Sequence, residues 1–463
     1  MCVEQYNIFI ALGFVAILLP AFKQITGKEL ALEFSPGFLL TIMIITLLTG
    51  IVAGSYPALY LSNFRPALIL KGKIKNTVGE NWIRKGLVVF QFTVSVILIV
   101  SVLIVYRQMQ LVETTDLGYN RDHVIYFDKG GKLSDNANDN KQGAVYKDLE
   151  TFIQQVKTIP GVSDASNFRH SIVNRDGGTT DVTWQGKPNG DQTSFTDIAC
   201  GYDFIETLGI KMKEGRSYST VFGSDNDKVV INEAAAKAMG LTDPIGKTVT
   251  IWGNPKQIIG VTKDFHFQSL YENIKPCFFD LSMNQHVSKI IVRIKAGDEK
   301  ATIERLSKFY RNYAGESLDY KFLDEDYQAL YVSEERVAAL SKYFAGMAII
   351  ISCLGLFGLA AFTAQKRRKE IGIRKVIGAS VGSIATMLSE DFLKLVLLSL
   401  VIAFPVSWWL MSNWLQSFAY RIAITPGVFI IAGTSVILIT VFTISFQAIK
   451  AAMANPVKSL KTE

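Results

Sequence analysis

The chain has 463 residues, 49% hydrophobic and 19% charged, below the roughly 25% charged residues of an ordinary soluble protein. Its net charge of +7 is unevenly spread: residues 107–340 hold 28 Lys and Arg against 33 Asp and Glu, a net of −5, leaving +12 for the rest. This composition excludes a disordered chain, a coiled coil, a collagen-like protein and a small disulfide scaffold; a basic excess lying beside apolar stretches also argues against nucleic acid as a partner.

A bilayer-spanning helix needs about 20 apolar residues. In chain order, residues 38–60, 86–106, 343–364 and 427–446 reach that length without an internal charge. Residues 8–22 and 395–410 are shorter, the second bordered by Glu390, Asp391 and Lys394. Six transmembrane helices are predicted. The first run resembles a signal-peptide core, but its flank carries Glu4 and no basic residue, which argues against cleavage.

Basic residues orient the spans. Arg65, Lys71, Lys73, Lys75, Arg84 and Lys85 lie between the second and third; Lys366, Arg367, Arg368, Lys369, Arg374 and Lys375 lie between the fourth and fifth. Lys450, Lys458 and Lys461 follow the last. With six spans all three segments face the cytoplasm, and the acidic block is extracytoplasmic. The predicted divisions are therefore two membrane helices in 1–62, a cytoplasmic linker at 63–85, a membrane helix at 86–106, an extracytoplasmic domain with a stalk at 107–340, three membrane helices in 341–449 and a cytoplasmic tail at 450–463.

The outer block reads as mixed α and β. Strand-like runs at 124–127, 229–231, 248–252, 257–261 and 289–294 are rich in β-branched residues, and helix-like runs lie at 144–158, 233–239 and 301–313. Residues 323–340 contain no proline or glycine and are predicted to run as one helix into the fourth span, pairing with 106–115 as a stalk.

Self-similarity appears at an offset of 390 residues: Pro36-Gly37 and Pro426-Gly427 open spans, Pro66 and Pro456 follow each by 30 residues, and Leu70-Lys71 matches Leu460-Lys461. This predicts that the chain is the C-terminal part of a longer protein built from two similar halves.

The segment QKRRKEIGIRKVIGA from Gln365 to Ala379 resembles the cytoplasmic loop of FtsX-like, MacB-like ABC transporter permeases. RKGLVVFQF at 84–92, DPIGK at 243–247, DFHFQSL at 264–270 and the tail Asn455-Pro456 are similar to the same family. The resemblance implies a MacB-like periplasmic core domain of two lobes, placement in a bacterial inner membrane, and pairing of two permease halves. It further implies that Lys366, Arg367, Arg368, Glu370, Ile371, Gly372, Arg374, Lys375, Gly378 and Ala379 form a coupling loop that docks on a separate ABC ATPase subunit. The basic residues by themselves also fit an anchor at lipid headgroups; the interspersed Ile371, Ile373, Val376 and Ile377 fit a protein partner better.

No catalytic, metal or cofactor-binding set emerges. Gly240 to Thr248 approaches a phosphate loop but has five residues between its glycines where four are needed, and reads as a turn. His123, His170, His266 and His286 lack metal-ligand spacing. Cys200 and Cys277 both fall outside the membrane, where they are either a disulfide or two buried thiols. The expected function is a non-enzymatic permease subunit for export or mechanotransmission. The alternative is a non-transporting regulator of cell-envelope hydrolases or stress signalling, acting through a periplasmic partner.

Overall fold

The computed structural model describes residues 2–32, 35–62, 78–130, 133, 142–173, 177–222, 225–281 and 289–452. The chain divides into two compact units, one of residues 1–106, 334–412 and 423–463, the other of residues 107–333 and 413–422.

The first unit is helical: α1 (Cys2–Thr26), α2 (Pro36–Ser62), the membrane part of α3 (Val78–Thr114), and, after the outer domain, α9 (Val332–Lys366), α10 (Arg368–Val376), α11 (Val381–Leu415) and α12 (Pro426–Ala452). Four helices among the described residues, not six, are long and apolar enough to cross a membrane, at Arg84–Thr114, Val332–Lys366, Gly382–Leu415 and Pro426–Phe446. The apolar stretches Ile10–Thr26 and Pro36–Ile51 of α1 and α2 are shorter. The run at 395–410, short by sequence, is the middle of the 35-residue α11, which carries Pro405 without breaking.

Several buried hydroxyls inside these helices have partners, as an apolar surrounding favours, although that of Thr440 in α12 has none. Ser95 and Ser352 share a buried hydrogen bond of 3.0 Å between α3 and α9, and Thr93 back-bonds to Val89 O at 2.8 Å. Gly355 leaves room for Gln91, whose Oε1 would lie 2.9 Å from an added Cβ.

The offset of 390 reappears in the helices. α2 and α12 are both 27 residues long and both open on Pro-Gly. Ser35 Oγ accepts from Phe38 N at 3.3 Å at the start of α2, and Thr425 O, at the matching position, accepts from Val428 N at 3.2 Å. Pro66 and Pro456 lie outside the described residues.

The second unit is α+β. Its strands are β1 (Val124–Asp128), β2 (Val162–Phe168), β3 (Val182–Trp184), β4 (Thr196–Cys200), β5 (Met212–Gly215), β6 (Lys228–Asn232), β7 (Thr248–Ile251), β8 (Asn254–Thr262), β9 (Cys277–Leu281), β10 (Lys289–Ile294) and β11 (Tyr320–Phe322). Its helices are α4 (Gln142–Lys157), α5 (Phe204–Leu208), α6 (Glu233–Ala238), α7 (Glu299–Ala314) and α8 (Leu323–Ala329). The strands form a single sheet in the order β11-β1-β10-β2-β4-β9-β6-β8-β7-β3, with β5 on β8.

The two expected lobes are thus one continuous sheet with two apolar cores. One core packs Phe152 and Val156 of α4 and Leu306 and Tyr310 of α7 on Ile125, Ala165, Ile290 and Val292; the other packs Ala235 and Ala236 of α6 on Val229, Ile231, Val249 and Ile258. Between them β2 meets β4 through the single pair Phe168 and Cys200.

The five expected strands and three expected helices all form. The sequence reading passed over β2, β3, β4, β5, β9 and β11, which are short or carry Ser, Asp, Asn and Lys. The continuous helix expected over 323–340 breaks at Leu330 and Tyr331, between α8 and α9. Tyr331 is buried, its hydroxyl accepts from Leu270 N at 2.7 Å and lies 3.3 Å from the Tyr327 hydroxyl. Anchoring this side chain in the outer domain fixes the helix break.

Register decides the cysteines. β4 and β9 are parallel with Thr196 opposite Cys277 and Cys200 opposite Leu281. The two cysteines sit four residues apart along neighbouring strands, roughly 13 Å at the rise of a strand, where a disulfide needs Cα atoms within about 7 Å. Both are free and buried.

Candidate functional site

The basic loop between the fourth and fifth predicted spans folds as the nine-residue helix α10, separated from α9 by Arg367 alone. The helical bonding runs through this break: Arg367 N donates to Thr363 O at 3.0 Å and Ile371 N to Arg367 O at 2.9 Å. At the other end Gly378, at φ 94°, reverses the chain. Ala379 N donates to Arg374 O at 2.9 Å and Gly378 N to Lys375 O at 3.1 Å, closing the last turn as a Schellman motif. Ser380 then caps α11, its Oγ accepting from Ser383 N at 3.2 Å. The Gly-Ala-Ser sequence after Ile377 therefore sets a sharp turn between two helices.

Ion pairs fix the helix. Arg367 Nη2 lies 2.9 Å from Asp391 Oδ2 on α11, and Arg374 Nη2 lies 2.9 Å from Glu370 Oε1 one turn earlier. The Arg84 guanidinium of α3 sits 4.5 Å over the Phe362 ring of α9. Lys85, Phe362, Lys366, Arg367, Glu370 and Asp391 line an open cavity beside the start of α10.

The apolar residues of the loop divide between two faces, because two positions along a helix turn it by about 200°. Ile371, 5% exposed, and Gly372 point into the unit. Ile373, Val376 and Ile377 form an outward stripe at helical spacing, Ile377 being 79% exposed. By sequence all four isoleucine and valine residues fit a partner contact; the helix withdraws Ile371 from the exposed stripe. Lys366 is exposed, Lys375 is half-buried and Ala379 closes the cap. The side chains of Arg368 and Lys369 lie outside the described residues. Asp391 is the residue the sequence reading missed; the signal was a carboxylate at the border of an apolar run.

His123 Nδ1 meets Glu299 Oε1 at 2.8 Å, while His266 is buried, and burial holds its imidazole below the usual range. His286 lies outside the described residues. No group of three or more His, Cys, Asp or Glu among the described residues is placed to hold a metal. The Gly240 to Thr248 segment is a turn into β7, with Gly246 N donating to Ile258 O at 2.8 Å and Lys247 N to Pro244 O at 3.2 Å. Asp225, 1% exposed, accepts from both Arg216 Nη1 and Nη2 at 2.8 Å, and this guanidinium holds its carboxyl below the usual range.

Residues 343–456 match the FtsX-like permease C-terminal family, and residues 89–308 match the MacB-like periplasmic core domain. The macrolide export ATP-binding/permease protein MacB of Chromobacterium violaceum is 22% identical over 58% of this chain and 43% of its own length. The uncharacterized ABC transporter permease YknZ of Bacillus subtilis is 21% identical over 62% of this chain and 74% of its own. The chain therefore spans less than half the length of that MacB and about three quarters of YknZ. Among solved structures, the periplasmic region of MacB from Actinobacillus actinomycetemcomitans aligns over 46% of this chain and 94% of that one, at 18% identity and a TM-score of 0.32. The chain thus joins a MacB-like periplasmic core domain at 89–308 to an FtsX-like permease C-terminal domain at 343–456.

Proposed function

We propose that the chain is a permease subunit of the bacterial inner membrane that passes the motion of a separate ATPase subunit to its outer domain, for export or mechanotransmission. The observation that carries this reading is α10: a short helix next to basic residues, tied to α11 by Arg367 and Asp391, that presents Ile373, Val376 and Ile377 outward. An anchor at lipid headgroups needs the cations alone. A rigid helix with an apolar stripe, flanked by the Glu370–Arg374 pair, fits a groove on a folded partner. In this reading Lys366, Arg367, Glu370, Arg374 and Lys375 surround the contact, Gly372 lies on the inward face behind it, Gly378 and Ala379 give it a sharp end, and two permease halves pair in the membrane.

The test is co-purification of the full chain with a candidate ABC ATPase subunit co-expressed with it. Ile377→Glu is expected to lower association at least about tenfold, since a buried charge in an apolar contact costs more than 1.4 kcal/mol, while leaving the melting temperature of the permease unchanged. Unaltered co-purification together with an unaltered ATPase rate would falsify the docking role.

A further inference from the structure

The outer end of α3 carries a fully buried glutamine, Gln108. Its amide uses both polarities on one strand of chain: Nε2 donates to Tyr420 O at 2.9 Å, and Oε1 accepts from Ile422 N at 3.0 Å. Tyr420 and Ile422 belong to the loop that joins α11 to α12. Two bonds of opposite sense to backbone groups two residues apart reproduce a β-bridge, and a primary amide is the side chain with both a donor and an acceptor placed for it. A carboxylate could accept from Ile422 but would set an oxygen against Tyr420 O.

The other side of the same loop is held as firmly. Tyr420 N donates to Leu270 O at 3.2 Å and Ala419 N to Tyr271 O at 3.3 Å. The buried Phe418 ring stacks on Tyr271 at 4.2 Å. Segment 264–271, which these contacts use, also holds the chain just after α3, His266 N donating to Leu117 O at 2.7 Å, and the residue just before α9, Leu270 N donating to Tyr331 Oη at 2.7 Å. All the outward chain crossings after α3 therefore converge on one segment of the outer domain.

We infer that Gln108 is a positioning residue that locks the α11–α12 loop to the outer domain, making this loop a third connection, beside α3 and α9, through which the membrane helices act on that domain. The inference rests on the reading of the chain as a transmitter of ATPase motion. A loop of this length needs no such fixing to join two helices; a buried amide spent wholly on its backbone makes sense when load passes through it.

The experiment uses the full chain with its ATPase in nanodiscs. Hydrogen exchange of the amides at Ala419, Tyr420 and Ile422 is expected to speed up at least about tenfold in Gln108→Ala and in Gln108→Glu. Phe418→Ala, which loosens the loop from the opposite side without touching α3, is expected to do the same should the Gln108 variants fold poorly. Spin labels at Ser417 and Lys237 should keep one separation in ADP and in trapped ATP in the wild type, and spread or shift with nucleotide in the variants. Unchanged exchange and an unchanged separation in both variants overturn the lock. A wild-type separation between Lys237 and Phe442 that ignores nucleotide overturns the transmitter reading instead, and the exchange data still decide whether Gln108 holds the loop.

Discussion

Arg367 and Asp391, 24 residues apart, meet at 2.9 Å and tie the start of α10 to α11. Both side chains are about one-third exposed, so the pair stabilises the fold by only about 0.5–1 kcal/mol. Its consequence lies in position: it fixes the start of α10 against α11. Asp391→Asn should leave the melting temperature within a few degrees of wild type but reduce ATPase-coupled activity severalfold. The charge-reversed pair Arg367→Asp with Asp391→Arg should recover part of that loss, measured as ATPase rate of the assembled complex; no recovery would assign Asp391 another role.

Gly378 sets the other end. At φ 94° an added Cβ is strained, and Gly378→Ala should destabilise the α10–α11 turn by about 1 kcal/mol. Gly378→Asn, which tolerates the left-handed region better, should cost less. Limited proteolysis after Lys375 would report the order of effects, and equal cleavage of both variants would argue against a strained cap.

In the outer domain, Asp225→Asn should cost about 2–3 kcal/mol, because it leaves the Arg216 guanidinium facing a neutral amide in a site where the carboxylate is fully enclosed. Chemical denaturation of the full chain in detergent is the measurement. A loss below about 0.5 kcal/mol would place the pair with ordinary surface ion pairs.

Cys200 and Cys277 should resist thiol reagents in the folded protein, since burial pushes both thiols well above their usual range, and should react fully once unfolded. Non-reducing and reducing gels of the unfolded chain should coincide. A mobility difference removed by Cys200→Ser would contradict the β4–β9 register.

Acid should loosen the contact around His266, whose ring edge meets Tyr420 at 4.5 Å. Burial lowers its folded pKa below the unfolded value of about 6.5. Above that pH neither state gains a proton and the contribution is complete; as pH falls through 6.5 toward the folded pKa, the unfolded state binds the proton first and stability is lost. The protection factor of the Tyr420 amide, corrected for intrinsic exchange at each pH, should therefore fall as pH drops below about 6.5 in wild type and stay flat in His266→Phe.

The strong sequence signals were local ones. Runs of apolar residues located α3, α9 and α12, β-branched runs located β1, β6 and β10, and glycines marked the turn after Ile377. Short strands such as β3 and β11 left no such trace, because three residues hold too little pattern and their pairing partners lie far along the chain. Residues 395–410 read as a short span because Glu390, Asp391 and Lys394 interrupt the apolar run, yet α11 continues through them: Glu390 and Lys394 pair at 2.7 Å along the helix surface and Asp391 is paired with Arg367.

By itself the sequence determined that this is a membrane chain with a basic fringe and one acidic α+β domain, since charge and apolar length are properties of residues in a row. The tertiary structure decided what depends on residues far apart. It split Ile371 from the exposed stripe of α10, separated Cys200 from Cys277 by strand register, joined two cores on one sheet, and brought Gln108 to the loop at Tyr420 and Ile422. Each of these is a matter of which surfaces meet once the chain has folded, and spacing along the chain holds no measure of that.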